Sequence, residues 1–316
     1  MGDRTLDVTA IFDEHRKLLL AVAYRILGEW SEAEDVVQDA YLRWRDVEHA
    51  EVENPRAFLV QVTTRLSIDR LRSARSRRET YVGEWLPEPV LTGPAGADGV
   101  MELDVADRVA QNDAVSLAML VVLEALSPLE RAVFVLREAF DFSYAEIASM
   151  LERTEPAVRQ LAKRARDHVE RRRTRFETDR KVQREVTEKF MTAAANGRVD
   201  ELLQLLAPDV ELRGDGGGVM RAPRRPIVGA DKVARFLRGG LTKEPYASML
   251  QASQLYLAEI NGVFGVVAVY HDAPVAAFAC EIVDGRIVRI DAVVNPAKLN
   301  AVRSVAEVGI PLSPRE

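Results

Sequence analysis

Between Leu126 and Arg173 the chain reads LSPLERAVFVLREAFDFSYAEIASMLERTEPAVRQLAKRARDHVERRR, and the apolar spacing of this stretch leaves few folds open. Val133, Leu136 and Phe140 share one face of an opening helix. Tyr144, Ile147, Ala148 and Leu151 then recur at helical spacing before a short turn through Glu152 and Arg153. A new helix follows. Thr154 can cap it, Glu155 complements its positive dipole end, and Pro156 suits a first turn where its missing N–H has no partner. The spacing predicts a helix-turn-helix, whose second helix enters the major groove with its N-terminal residues at the base edges. Small Pro156 and Ala157 permit close approach, Arg159, Gln160 and Lys163 present donors, and Val158, Leu161 and Ala165 are left for the inner face. Arg164, Arg166 and the run Arg171 to Arg173 add charge suited to phosphates. The plainer reading is a solvated basic helix in an ordinary bundle.

A chain of 316 residues has room for two or three domains with their own cores. Its net charge of -6 means that DNA affinity cannot come from the molecule as a whole; it comes from local patches or from a larger partner. No apolar run approaches the roughly twenty residues of a membrane span, and the start MGDRTLDVTA lacks the basic-then-apolar pattern of a secretory signal, so a cytoplasmic protein without a membrane partner is expected. The single cysteine, Cys280, excludes an intramolecular disulfide and a cysteine-based metal cage. Among Phe278, Ala279 and Ile282 it reads as a small core residue. No metal or cofactor is expected.

From Thr9 to Leu27 the apolar residues trace a helix ending near Gly28. Ser31 is expected to cap a second helix with acids in its first turn. Val36, Val37, Ala40, Tyr41 and Trp44 point inward there, leaving Asp35, Gln38, Asp39 and Arg43 on a face that is either solvated or docks a partner. Asn54-Pro55 opens a third helix, PRAFLVQVTTRLSIDRLRSARSRRE, whose second half carries Arg65, Arg70, Arg72, Arg75, Arg77 and Arg78 against Asp69. Such a helix suits melted DNA if aromatics accept unstacked bases; Phe58, Trp44 and Tyr41 are the candidates, each competing with a core role.

The next stretch, YVGEWLPEPVLTGPAGADGVMELD, has the composition of a linker without regular structure, yet WLPEP presents apolar surface and is expected to dock. Beyond the basic run, 182–195 and 199–206 read as helices, with Pro208 ending the second. Strand-like VELR, a helical ADKVARFLRG, and the runs SMLQASQLYLAEI, GVFGVVAVYHD, PVAAFACEIVD and RIVRIDAVVN follow, with hairpin signals at Asn261-Gly262 and Asp284-Gly285. Helices first and a curved antiparallel sheet after them give an α+β domain shaped as a cone with a pocket inside. Asp215, His271, Asp272, Glu281 and Asp291 are the available acids and bases, without a paired Asp-His spacing; His271 and Asp272 read as a turn. Gly216 to Gly218 lack the Gly-Lys-Ser/Thr of a phosphate loop. The domain is not expected to be an enzyme.

AEDVVQDAYLRW, PRAFLVQVTTRLSIDRLR and the helix-turn-helix together resemble regions two and four of a bacterial sigma factor of the extracytoplasmic-function (ECF) class, in the sigma-70 family. The resemblance implies that Asp35, Gln38 and Asp39 meet the coiled coil of the polymerase beta-prime subunit. It implies that the third helix, with Phe58, Arg65, Arg70, Arg72 and Arg75, recognises and holds open the minus-ten element. It further implies that the helix from Glu155, with Pro156, Ala157, Arg159, Gln160, Lys163 and Arg164, reads the minus-thirty-five element. Where many such factors have Arg-Asn, this chain has Thr64-Arg65, so the base contact of that Asn is not carried over. WLPEP, with Trp85, Leu86 and Pro87, resembles the linker of the group that carries an extra C-terminal SnoaL-like (NTF2-like) domain. Asp215-Gly216-Gly217-Gly218 and Asn295-Pro296-Ala297-Lys298-Leu299 resemble two motifs of that domain. The first usually continues with Lys; here it is Val219, which moves any contact of that ammonium to Arg221 or removes it.

The resemblance therefore implies an all-α sigma region two at 1–79, a linker at 80–112, region four at 113–176, an α+β SnoaL-like regulatory domain at 182–300 and a tail at 301–316. The implied function is promoter-specific initiation, modulated in cis. The implied partners are core RNA polymerase, through its beta-prime and beta subunits, and promoter DNA. A pocket ligand is left open, and no separate anti-sigma factor is required. A one-component regulator, a helix-turn-helix fused to a ligand-binding domain, is the alternative; the first hundred residues have no role in it.

Overall fold

Helices α1 (Val8–Leu27), α2 (Trp30–Arg45) and α3 (Pro55–Arg78) begin the computed structural model, which describes residues 8–49, 52–78, 80–92, 117–172, 179–195, 197–240, 248–249 and 252–312. The chain divides into two units. The first comprises 1–79, 105–114 and 119–173; the second comprises 80–104, 115–118 and 174–316.

In the first unit Leu19, Leu20, Ile26, Trp44 and Leu59 form the core of the opening bundle, and the Trp44 indole N–H donates to the Val8 carbonyl at 2.8 Å. Asn54 accepts from the Ala57 amide at 3.0 Å, so Asn54-Pro55 does open α3. Ser31 is not a cap. The N-cap of helix α2 lies two residues earlier, at Glu29, whose side chain makes no capping bond; Trp30 is buried and its ring lies 5.7 Å from that of Tyr24. Packing of the indole, not capping, sets this start. Helices α4 (Leu117–Leu123) and α5 (Pro128–Phe134) follow, the latter opened by a capping box of Ser127 and Glu130. The regular face expected through Val133, Leu136 and Phe140 is interrupted by a π-helical turn, Val135–Ala139. Leu136 stays fully buried, while the half-buried Phe140 ring lies 4.7 Å under the Arg25 guanidinium. Arg25 is itself fully buried, and burial lowers its pKa to about 10 against a smaller opposing influence of Tyr24.

The second unit holds α8 (Arg180–Ala195) and α9 (Val199–Leu205), then β1 (Leu206–Asp215), β2 (Ile227–Val228) and α10 (Ala230–Gly240). Strands β3 (Gln254–Ile260), β4 (Val263–Tyr270), β5 (Ala273–Val283), β6 (Arg286–Val293) and β7 (Ile310–Pro311) complete it. The sheet order is β2-β1-β6-β5-β4-β3-β7, antiparallel except for the β1–β6 pair. Phe190, Leu202, Leu212, Val233, Val266, Cys280 and Ile290 belong to one apolar core between helices and sheet. Asn261-Gly262 and Asp284-Gly285 make the expected tight turns, all four residues at positive φ.

Three expectations shift here. Pro208 does not end a helix. It lies inside β1, where the register with β6 breaks between Leu206 and Glu211, a place that tolerates a residue with no N–H. Ser248 and Met249 are helical, and the strand begins only at Gln254. The segment after residue 300 is no tail up to Leu312: Val302 and Val305 are fully buried, and β7 pairs with β3.

Burial also governs Cys280, whose thiol is pushed from 9.0 up to about 12, with Asp291 adding to the effect. The unfolded thiol ionises from 9.0 upward and the folded one only near 12, so stability falls as pH rises through that window. Native Cys280 is expected to resist a maleimide at about pH 8 and to react in urea. Rapid labelling of the folded protein contradicts this.

Candidate functional site

In α2, Asp35 and Gln38 are exposed and Asp39 is half-buried. Arg70 of α3 reaches across to them: it lies 2.9 Å from Glu32, 3.4 Å from Asp39 and 3.8 Å from Asp35. Partial desolvation disfavours the Arg70 cation, but these three acids outweigh it and raise its pKa. Two sets of residues expected to act apart, acids for the polymerase and a cation for DNA, thus share one ion cluster.

Farther along α3, Phe58 is half-buried with its ring 5.8 Å from that of Trp44. Arg65 donates to the Met150 carbonyl at 2.8 Å and pairs with Glu152 at 2.9 Å, at the end of α6 (Tyr144–Leu151). Arg72 pairs with Asp69. Arg75 lies on α3, but its side chain falls outside the described residues.

The helix-turn-helix is α6, opened by a capping box of Ser143 and Glu146, and α7 (Glu155–Arg172). Glu152 takes a left-handed conformation at φ 52, and the Arg153 amide donates back to the Ala148 carbonyl, closing α6. On α7 the inner face is Val158, Ala162, Ala165 and Val169, all buried; Leu161, expected there, is only half-buried. Pro156, Arg159, Gln160, Lys163 and Arg164 are exposed and Ala157 is half-buried. Arg159 pairs with Glu155 at 3.1 Å and lies 4.6 Å over the Tyr144 ring. Arg164 and Arg166, expected to meet phosphates, pair with Glu130 at 3.0 Å and Glu138 at 2.8 Å.

In the second unit the linker is docked, as its apolar surface suggested. Leu86 through Leu91 are buried, held by a network around Asp215. That carboxylate is fully buried at the end of β1. It accepts from the Tyr81 hydroxyl at 2.5 Å, the Leu86 amide at 2.9 Å, the Gly217 amide at 3.0 Å and the Lys298 ammonium at 2.7 Å. Lys298, also buried, donates a second bond to the Leu86 carbonyl at 2.5 Å and lies 4.1 Å over the Trp85 ring. Asn295 caps the turn Pro296–Lys298 through the Ala297 amide and gives its own N–H to Tyr81 at 2.9 Å. Gly217, at φ +59, lies so close to Asn295 that a Cβ would stand 2.4 Å from its side-chain nitrogen. Asp215, Gly217, Asn295, Lys298 and Leu86 thus meet in one place, with Trp85 against the ammonium. Pro87 and Gly216 are buried beside them, while Gly218 and Pro296 are exposed. The only ammonium among the described contacts of Asp215 is that of Lys298, not of the residue after the glycines: Val219 is exposed and Arg221 lines a cavity elsewhere in the domain. Tyr81 was missed by sequence reasoning, as was Asn261, whose side chain accepts from the Val90 amide at 3.0 Å while its backbone makes the hairpin turn.

The domain encloses a cavity of about 310 Å³ with apolar walls such as Leu212, Phe236 and Phe278. None of Asp215, His271, Asp272, Glu281 and Asp291 is among its described lining residues. His271 and Asp272 occupy a turn with positive φ, and Asp291 pairs with Arg289 at 2.9 Å.

A helix-turn-helix joined to a bundle with a basic third helix and an acidic-edged second helix defines a promoter-reading subunit of the sigma type. Residues 11–77 match the family Sigma-70 region 2, and residues 116–169 match Sigma-70, region 4. The chain is 39% identical over 295 residues to the ECF RNA polymerase sigma factor SigJ of Mycobacterium tuberculosis, covering 91% of both chains. It is 33% identical over 302 residues to the probable ECF sigma factor SigI of that organism, covering 96% of this chain and 97% of the relative. The crystal structure of Mycobacterium tuberculosis SigJ matches with a TM-score of 0.73 at 36% identity, covering 93% of this chain and 98% of that one. The chain belongs to the extracytoplasmic-function RNA polymerase sigma factors. It directs transcription initiation, working with core RNA polymerase and promoter DNA.

Proposed function

We propose that this sigma factor is regulated in cis: its α+β domain holds the linker through Asp215 and Lys298, and release of that clasp changes how its DNA-reading modules engage a promoter. The observation that carries this is the burial of Leu86 with both its backbone N–H and C=O bonded to the Asp215–Lys298 pair. Only Glu79 and Thr80 separate the end of α3 from Tyr81, so the clasp begins where the expected minus-ten helix stops. On this reading 1–79 is region two, 113–176 is region four, and the α+β domain does the work of a separate anti-sigma factor inside the cytoplasm. On this reading the domain acts by holding chain; Asp215 and Asp291 are paired with Lys298 and Arg289 outside the described lining of the cavity.

Asp35, Gln38 and Asp39 are the proposed polymerase contacts. Phe58, Arg65, Arg70 and Arg72 face the minus-ten element once Arg65 leaves Met150 and Arg70 exchanges its acids for phosphates. Pro156, Ala157, Arg159, Gln160 and Lys163 read the minus-thirty-five element. Arg159→Ala or Gln160→Ala is expected to weaken use of the cognate upstream element by about 1–3 kcal/mol if the side chain reads a base. Folding should change little, because both side chains are exposed. Run-off transcription with core polymerase on cognate and scrambled upstream elements checks this. Equal loss on both templates makes the residue a phosphate contact.

A further inference from the structure

We propose that the cavity of the α+β domain is a binding site for a small amphiphile, an apolar body with one anionic head, and that its occupancy loosens or tightens the linker clasp. The cavity, about 310 Å³, lies at the small end of ligand sites, which run from about 300 to 1,000 Å³. Its walls are side chains such as Met220, Phe236, Met249, Val275 and Phe278, and the only ionisable groups among its described lining residues are Arg221 and Arg235. Both arginines are exposed, which places the positive charge at the mouth and the apolar surface within. Apolar walls select hydrocarbon, and two guanidinium groups select a carboxylate or similar anion.

The link to the clasp follows from strand alternation. On β1, Leu212 and Gly214 line the cavity while Asp215, the next residue, turns to the linker. After β6, Val294 lines the cavity and Asn295 bonds to Tyr81. The two sides are tied together: the amides of Val294 and Asn295 both donate to the Asp215 carbonyl, at 2.8 and 3.0 Å. The wall formed by Met220 to Pro223 continues directly from the glycine turn, whose Gly217 amide Asp215 holds. That wall presses on Gly214, where a Cβ would stand 2.4 Å from the Pro223 ring. A ligand that displaces Met220 to Pro223 therefore moves the turn that aims Asp215 at Leu86.

This inference deepens the reading of the clasp as a regulator, yet its test does not involve transcription, so the two fail separately. Titrate the full chain with decanoate and with 1-decanol by calorimetry, and follow exchange of the Leu86 amide with and without saturating decanoate. Saturable 1:1 binding is expected, with Leu86 exchange altered at least about fivefold. Ala276→Phe, which fills the cavity, is expected to abolish binding of both probes. Arg221→Gln with Arg235→Gln is expected to weaken decanoate at least about fivefold and leave decanol unchanged, a readout that stands even if the filled variant does not fold. Absence of saturable binding overturns the site, as does equal loss of both probes in the arginine variant. Binding that leaves Leu86 exchange unchanged overturns the coupling.

Discussion

Replacing Asp215 by alanine is expected to destabilise the α+β unit by about 3–5 kcal/mol, the range for removing one partner of a buried ion pair. The side chains of Asp215 and Lys298 are only 0% and 6% exposed, so solvent cannot take over the counter-charge. The variant strands the Lys298 ammonium beside the Leu86 carbonyl and leaves the buried Leu86 amide, the Gly217 amide and the Tyr81 hydroxyl without their acceptor. Lys298→Met alone strands the carboxylate instead. The double variant removes both charges and is expected to cost markedly less than the sum of the two, because much of each single loss is the charge left behind. Urea unfolding of the four proteins decides it. Additive losses in the cycle contradict a coupled pair.

Trp44→Ala is expected to cost about 3–5 kcal/mol in the helical unit, as large-to-small changes of buried aromatics do. Trp44 is 1% exposed and its ring meets those of His49 and Phe58. Its N–H also donates to the Val8 carbonyl at the start of α1, so the substitution opens a cavity and removes that bond. Because α2 carries Asp35 and Gln38, initiation activity is expected to fall with stability. Phe58→Ala, at a half-buried position, is expected to destabilise less while still affecting melted DNA. A larger stability loss from Phe58 than from Trp44 overturns this ranking.

What the sequence made legible was whatever is written locally. The helix-turn-helix followed from the spacing of Tyr144, Ile147, Ala148 and Leu151, the turn through Glu152 and Arg153 and the apolar spacing of α7; the hairpins followed from Asn261-Gly262 and Asp284-Gly285. WLPEP declared itself through apolar residues in a linker composition. What escaped depends on neighbours distant in sequence. Helix α2 starts at Trp30 because Tyr24 packs there, and Pro208 lies in β1 because a register break with β6 accepts it. Arg65, Arg70, Arg164 and Arg166 looked like a basic surface, but charge counting cannot tell which acids fold back onto them: Glu152, the α2 acids, Glu130 and Glu138. Tyr81 carried no motif, and its role exists only because Asp215 and Asn295 converge on its hydroxyl. The pairing of Asp215 with Lys298 joins two short motifs far apart in the chain, each uninformative about the other.

The most direct test of cis regulation is run-off transcription by core polymerase with the full chain and with Leu86→Asp, which releases the linker while leaving every residue of the α+β domain in place. The carboxylate would have to occupy a site where Leu86 is 0% exposed, next to Asp215. Initiation from the same start site is predicted, with yield changed by at least about threefold in either direction. Exchange of the linker amides at Leu86 and Val90 in the same preparation reports whether the clasp has opened. Open linker amides with unchanged initiation would contradict the account.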